Sequence, residues 1–187
     1  MLQLKVLFAD DHIPGFPFPP GDKDASEVVR KHHPHCSESG LAEWLKVHRY
    51  CQNVIKTLRD ANFDVTTANK YSRAIDSVKT HHFDIAIVDL KWCNDESLPA
   101  NEQENAGWRI CNQIDENCKK QGGSQTLQII SSSRFQDDSQ GADLLTTTAN
   151  YGRLPFVKMM GSHVNLKALR ACVRFLEKSL QDTSPEA

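Results

Sequence analysis

The sequence predicts a doubly wound α/β fold: a five-stranded parallel sheet in the order 2-1-3-4-5, with helices on both faces. Three observations carry that reading. Short apolar runs alternate with stretches of helical periodicity along most of the chain, giving five strand-helix units joined by right-handed crossovers. The run Ile85, Ala86, Ile87 and Val88 is apolar without alternation, as a strand covered on both faces requires. Four of the runs end in Asp10 and Asp11, in Asp89, in Ser131 and in Lys158, at the strand tips where open parallel sheets bind ligands.

The first strand is Leu4 to Ala9, closed by Asp10 and Asp11. From Leu41 to about Ala61, Trp44, Leu45, Cys51, Val54, Ile55 and Leu58 recur at helical spacing and predict a long amphipathic helix. Phe63 to Ala68 reads as the second strand. Asn69 is a candidate cap for a helix that turns Ala74, Ile75 and Val78 inward. The third strand delivers Asp89. Gly107 to Cys118 then places Trp108, Cys111, Ile114 and Cys118 on one helix face, with Trp108 read as core. Thr126 to Ile130 is the fourth strand, ending in Ser131, Ser132 and Ser133. A weaker helix covers about 138–149; its few apolar residues and its run Thr146, Thr147, Thr148 mark it as a low-stability, movable element. Leu154 to Val157 leads to Lys158, and a last helix turns Leu166, Leu169, Val173, Leu176 and Leu180 inward, before a tail at 182–187 that is expected to fray.

Two segments exceed this minimal plan. Residues 13–40 are rich in Pro, Gly, His and charge where a tight turn is expected, and read as an insertion into a single domain. The loop at about 92–106 is long and acidic. Both follow strands that end in site residues, so both are expected to overhang the site.

Composition narrows the function. The 187 residues carry a net charge of −2 with acids and bases interspersed, which gives no electrostatic footprint for nucleic acid or an anionic membrane. No apolar run approaches the roughly 20 residues that cross a bilayer. Six cysteines lie without paired spacing and the amino terminus lacks a signal-peptide pattern, so a reduced, cytoplasmic protein is expected. Cys51, Cys111, Cys118 and Cys172 fall on apolar helix faces as small buried hydrophobes.

In the order 2-1-3-4-5 the switch point lies between the first and third strands, so Asp10, Asp11 and Asp89 meet there. Three adjacent carboxylates repel one another unless a cation neutralises them, and hard oxygen ligands suit Mg²⁺. Ser131 and Lys158 add a hydroxyl and a fixed cation at neighbouring tips. Together these groups describe phosphoryl chemistry: Asp89 as the nucleophile, Mg²⁺ and Lys158 neutralising phosphoryl oxygens, and Ser131 donating a hydrogen bond.

On these residues the sequence resembles the flavodoxin-like receiver domain of two-component response regulators, of which the chemotaxis protein CheY is the familiar form. The resemblance rests on Asp10-Asp11, on Asp89 in IVDL, on Ser131 and on Lys158. It implies a stand-alone, single-domain regulator that takes a phosphoryl group onto Asp89 from a phosphohistidine in a sensor histidine kinase or phosphotransfer protein. It implies further that the backbone carbonyl of Lys91 joins Asp11 and Asp89 around Mg²⁺, with Asp10 acting largely through water, and that Lys91 and Ser133 tune the lifetime of the acyl phosphate. Output is expected through phosphorylation-dependent protein contact, with a homodimer through the fourth and fifth elements as one form. The chain departs from the family in four places: Met159 stands where a proline usually follows the lysine, Pro155 where a switch aromatic usually stands, Trp92 where methionine is common, and serine replaces threonine at 131. Phe156 and Tyr151 are the candidates to replace that aromatic.

Competing readings are a degenerate receiver that serves as a constitutive interaction module, and a Mg²⁺-dependent phosphohydrolase. The second is disfavoured because such enzymes carry a general acid-base carboxylate two residues after the nucleophile, where Lys91 stands. The crowded run His32, His33, His35, Cys36, with His12 and His48 elsewhere, lacks the paired doublets of a structural Zn²⁺ site and reads as a solvated loop. Phe16 and Phe18 are expected to pin the 13–40 segment onto the domain.

Overall fold

The computed structural model describes residues 3–122, 125–133, 141–158 and 163–182. Its elements are β1 (Lys5–Ala9), α1 (Asp22–His32), α2 (Glu38–Asp60), β2 (Asp64–Ala68), α3 (Tyr71–Thr80), β3 (Ile85–Asp89), α4 (Ala100–Gln103), α5 (Ala106–Gln121), β4 (Leu127–Ser132), α6 (Gly141–Asn150), β5 (Leu154–Val157) and α7 (His163–Asp182). The five strands form one parallel sheet in the order β2-β1-β3-β4-β5, as the alternation of apolar runs and helical periods predicts. Among the described residues no helix is long and apolar enough to cross a membrane.

Both faces of the sheet are covered, which is why β3 is buried at every position. On one face Val6, Phe8, Ile85, Ile87, Ile129 and Phe156 pack against Cys51, Val54 and Leu58 of α2 and against Leu169 and Val173 of α7. On the other, Leu7, Ala86, Val88 and Ile130 meet Ala74 and Val78 of α3 and Ile110, Cys111 and Ile114 of α5. Trp108 is only half-buried beside this core, with the Arg153 guanidinium 4.9 Å above its ring. Pro155 is exposed on the edge strand β5, the one kind of strand that accepts a proline.

The segment 13–40 is not a loop throughout. It contains α1, an eleven-residue helix that buries Ala25 and Val29 and lies against α2. Helix α2 correspondingly starts earlier than the apolar period indicates, at Glu38, because Ser37 accepts a hydrogen bond from Gly40 N at 3.1 Å and caps it. Arg30 pairs with Glu38 at 2.7 Å, but both are exposed, and such a pair contributes at most about 1 kcal/mol. Ring contacts hold the segment more firmly. Phe16 stacks on His32 at 3.9 Å, His33 stacks on Trp44 at 4.0 Å, and Phe18 meets His48 edge-on at 5.6 Å. Phe16 and Phe18 thus pin the segment down, and His32 and His33 are stacking surfaces instead of a fully solvated run.

The 92–106 loop also has structure. It includes α4, buries Leu98, and carries Asp95 fully buried. Asp95 Oδ2 accepts from Tyr71 N at 2.5 Å, so the start of α3 is capped from a distant loop; Lys70 holds the cap position and Asn69 does not. Met159, residues 138–140 of the expected fourth-strand helix, and the tail from 183 lie outside the described residues.

Gly107 sits where α5 meets the end of β3. Its N–H donates to Leu90 O at 3.0 Å, and a Cβ there would stand 2.8 Å from Leu90 Cα and closer still to Asp89 O. Gly107→Ala must therefore push the β3 tip away from α5. The expected outcome is a loss of about 1–3 kcal/mol in urea unfolding, together with weaker divalent-ion binding at Asp89.

Candidate functional site

Side chains alternate faces along a strand, so residues two apart share one. Asp10 continues Val6 and Phe8, Asp89 continues Ile85 and Ile87, Ser131 continues Ile129, and Lys158 continues Phe156; all of those apolar residues pack on the α2 and α7 face. The parallel register sets Asp89 beside Ser131 and Ser131 beside Phe156. Alternation and register together bring the four groups to one corner of the sheet, and all are buried.

Lys158 Nζ donates to Asp10 Oδ2 at 2.6 Å and to Asp89 Oδ2 at 3.0 Å. Asp89 Oδ1 accepts from Leu90 N at 2.9 Å, while its carbonyl accepts from the indole of buried Trp92 at 2.8 Å. Asp11 Oδ2 accepts from Asn94 N at 2.7 Å, so the 92–106 loop does reach the site. Asp11 Oδ1 is buried without a hydrogen bond. Lys91 turns its amine away to Glu104, 2.5 Å off.

Two site residues escaped the sequence reading. His12 Nδ1 donates to Asp10 Oδ1 at 3.0 Å and lies 3.0 Å from Asp11 Oδ1 and 3.8 Å from Asp89 Oδ2. Its position directly after Asp11 was a usable signal, since His12 N also donates to Asp10 Oδ1 at 2.9 Å in a local turn of the kind aspartate forms with the residue two further on. Tyr50 of α2 is the other. It is buried in the core beneath the site, and its hydroxyl faces Ser131. The two candidates for the missing switch aromatic are elsewhere. Phe156 is core on the α2 face, and Tyr151 is exposed before the start of β5, at the far end from Lys158.

The electrostatics follow from burial and neighbours. Burial raises the Asp89 carboxyl, and the nearby Asp10 and Asp11 charges add to it; against Lys158 and His12 the net result is about 7. Burial alone would also raise Asp10, but Lys158 and His12 overcome it and hold Asp10 well below the usual carboxylate range. Lys158 loses hydration on burial, yet Asp10 and Asp89 keep it firmly cationic. Burial likewise opposes charge on His12, and the adjoining Asp10 and Asp11 carboxylates more than compensate, pushing it up to about 10.

The oxygen donors fit Mg²⁺. Asp10, Asp11 and Asp89 each offer an oxygen, and with a His12 nitrogen these ligand atoms lie within 4.8 Å of one another. The buried Asp11 Oδ1 lacks a hydrogen bond that a cation would replace. Among the described residues this is the one such group, so the His32 to Cys36 run forms no comparable cluster.

No protein-family model matches the chain, and no curated protein is similar to it in sequence. Solved structures similar to it include the receiver domain of the Francisella response regulator 1452, at 17% identity and a TM-score of 0.49, covering 95% of this chain and 99% of that one. The chemotaxis response regulator CheY4 of Vibrio cholerae is 18% identical at a TM-score of 0.47, covering 91% and 98%. The response regulator TrrA of Thermotoga maritima, solved with Mg²⁺-BeF, is 14% identical at a TM-score of 0.45, covering 93% and 99%.

A pH-dependent prediction follows for the metal-free protein. Because the folded pKa of Asp89, about 7, lies above its ordinary value of 3.8, Asp89 favours the fold only while protonated, and that contribution is lost between pH 4 and 7. Asp89→Asn avoids the loss. In chelator, its Tm advantage over wild type is expected to widen from pH 5 to about 7 and then level; an advantage that is constant with pH contradicts the assignment.

Proposed function

We propose that this chain is a phosphoryl-accepting receiver of a two-component system. Asp89 takes the phosphoryl group from a phosphohistidine of a sensor histidine kinase or phosphotransfer protein. Asp10, Asp11, Asp89 and the backbone carbonyl of Lys91 hold the divalent cation, Mg²⁺ in this reading. The observation that carries the proposal is the bridging of Asp10 and Asp89 by one buried lysine, 2.6 and 3.0 Å away, beside an Asp11 oxygen that has no hydrogen bond.

When bound, the cation neutralises charge on the phosphoryl oxygens. The chain's own groups do the rest. An Asp89 oxygen forms the new O–P bond as the P–N bond of the donor breaks, and the electron pair leaves on the donor imidazole nitrogen. Lys158 exchanges part of its carboxylate bonding for a phosphoryl oxygen, and the Ser131 hydroxyl donates to another. Drawing Ser131 and Lys158 inward shifts the population of the β4 and β5 ends and of α6. Leu145 of α6, Tyr151, Leu154 of β5 and Phe175 of α7 are exposed large hydrophobic residues, and they offer a surface for the resulting protein contact, a homodimer included.

The test is intact-protein mass after incubation with phosphoramidate or acetyl phosphate and Mg²⁺. Wild type is expected to gain one phosphoryl mass, Asp89→Asn none, and chelation to abolish the gain. Lys158→Ala is expected to react about 100-fold more slowly. No gain in wild type overturns the proposal and leaves an unphosphorylated interaction module.

A further inference from the structure

His12 departs from an all-oxygen cation site. In an octahedral complex with bonds of about 2.1 Å, neighbouring donors stand about 3.0 Å apart and opposite ones about 4.2 Å. His12 Nδ1 is 3.0 Å from Asp10 Oδ1, 3.0 Å from Asp11 Oδ1 and 3.8 Å from Asp89 Oδ2, within that interval for all three. The imidazole is held there from three sides. The backbone N–H of His12 donates to Asp10 Oδ1 at 2.9 Å, its backbone carbonyl accepts from His48 Nδ1 at 2.7 Å, and the ring lies beside Trp44, 6.2 Å between centroids. His48 and Trp44 are in turn fixed by the His33 and Phe16 rings of the 13–40 segment. These contacts fix the His12 main chain and one side of its ring. The buried Asp11 Oδ1 has no hydrogen bond and faces Nδ1 at 3.0 Å, so both atoms are available to one cation.

We infer that His12 Nδ1 gives up its proton to solvent as the ion arrives and becomes a fifth protein ligand, so that the site takes a first-row transition dication such as Mn²⁺ in preference to Mg²⁺. Three carboxylates alone suit Mg²⁺, whereas an imidazole nitrogen contributes far more to a transition ion. The inference rests on the cation-dependent reading above and specifies its metal. It also gives the aromatic stack of segment 13–40 a task, that of orienting the ligand.

The experiment uses the full chain freed of metal, with MnCl₂ and MgCl₂ as the probes. Mn²⁺ electron spin echo spectra are recorded for wild type, His12→Ala and His12→Asn, with circular dichroism to confirm that each variant is folded. Wild type is expected to bind Mn²⁺ more tightly than Mg²⁺ and to show ¹⁴N modulation from a bound nitrogen. His12→Ala is expected to lose that modulation and about tenfold or more of its Mn²⁺ affinity, with Mg²⁺ affinity little changed. His12→Asn, which offers an amide oxygen, is expected to keep Mg²⁺ binding without the modulation. Mn²⁺ bound without nitrogen coupling, or bound more tightly by His12→Ala, overturns the inference and makes His12 an occupant that the cation displaces. If neither ion binds wild type, the cation-dependent reading falls as well; if Mg²⁺ supports phosphoryl transfer while nitrogen coupling is absent, only the ligand assignment falls.

Discussion

Lys158 is buried between two carboxylates, and the corner of the sheet is organised around that contact. A lysine taken out of water loses its hydration, and three acids brought together repel one another; each half of the arrangement is unfavourable without the other. The ion pair therefore ties β5 to β1 and β3 across the sheet. It also explains why the acids are not equivalent: Asp10 bonds to both Lys158 and His12 and stays ionised, while Asp89, also buried, has a single cationic bond.

The backbone that carries Asp89 is itself held closely. Its carbonyl accepts from Trp92, the next N–H folds back on its own carboxylate, and Gly107 lets α5 touch the main chain behind it. For the proposed phosphoryl transfer, a nucleophile fixed on a strand end needs little reorganisation. Ser131 lies near the end of β4 and Lys158 directly follows β5, ahead of the connections that lead toward α6 and α7.

Helix α2 links the site to the 13–40 segment. Tyr50 on its inner face lies toward Ser131, and His48, two residues nearer the amino terminus, bonds the His12 carbonyl and takes part in the aromatic stack. The hydrogen bond also fixes the His48 tautomer. A carbonyl only accepts, so Nδ1 carries the proton, in keeping with a ring whose burial pushes its pKa down to about 4.

The strand order, the two-sided burial of β3 and the meeting of Asp10, Asp11, Asp89, Ser131 and Lys158 were all legible in the sequence, because each follows from local pattern. A period of two assigns faces, an unbroken apolar run marks a central strand, and polar residues that end successive strands must share an edge. Other features were not legible, since they depend on contacts between segments far apart in the chain. Asp95 caps α3 from 24 residues away, Tyr50 reaches Ser131 across the core, and α1 is anchored by stacking of Phe16, His32, His33 and Trp44 in a stretch whose prolines and glycines read as a loop. Sequence alone thus determined which groups stand at the sheet's edge. Only tertiary packing decided that the imidazole of His12 points inward among the acids, because a side chain at the end of a strand can face either solvent or the site, and the carboxylates of Asp10 and Asp11 together with the Trp44 ring settle which.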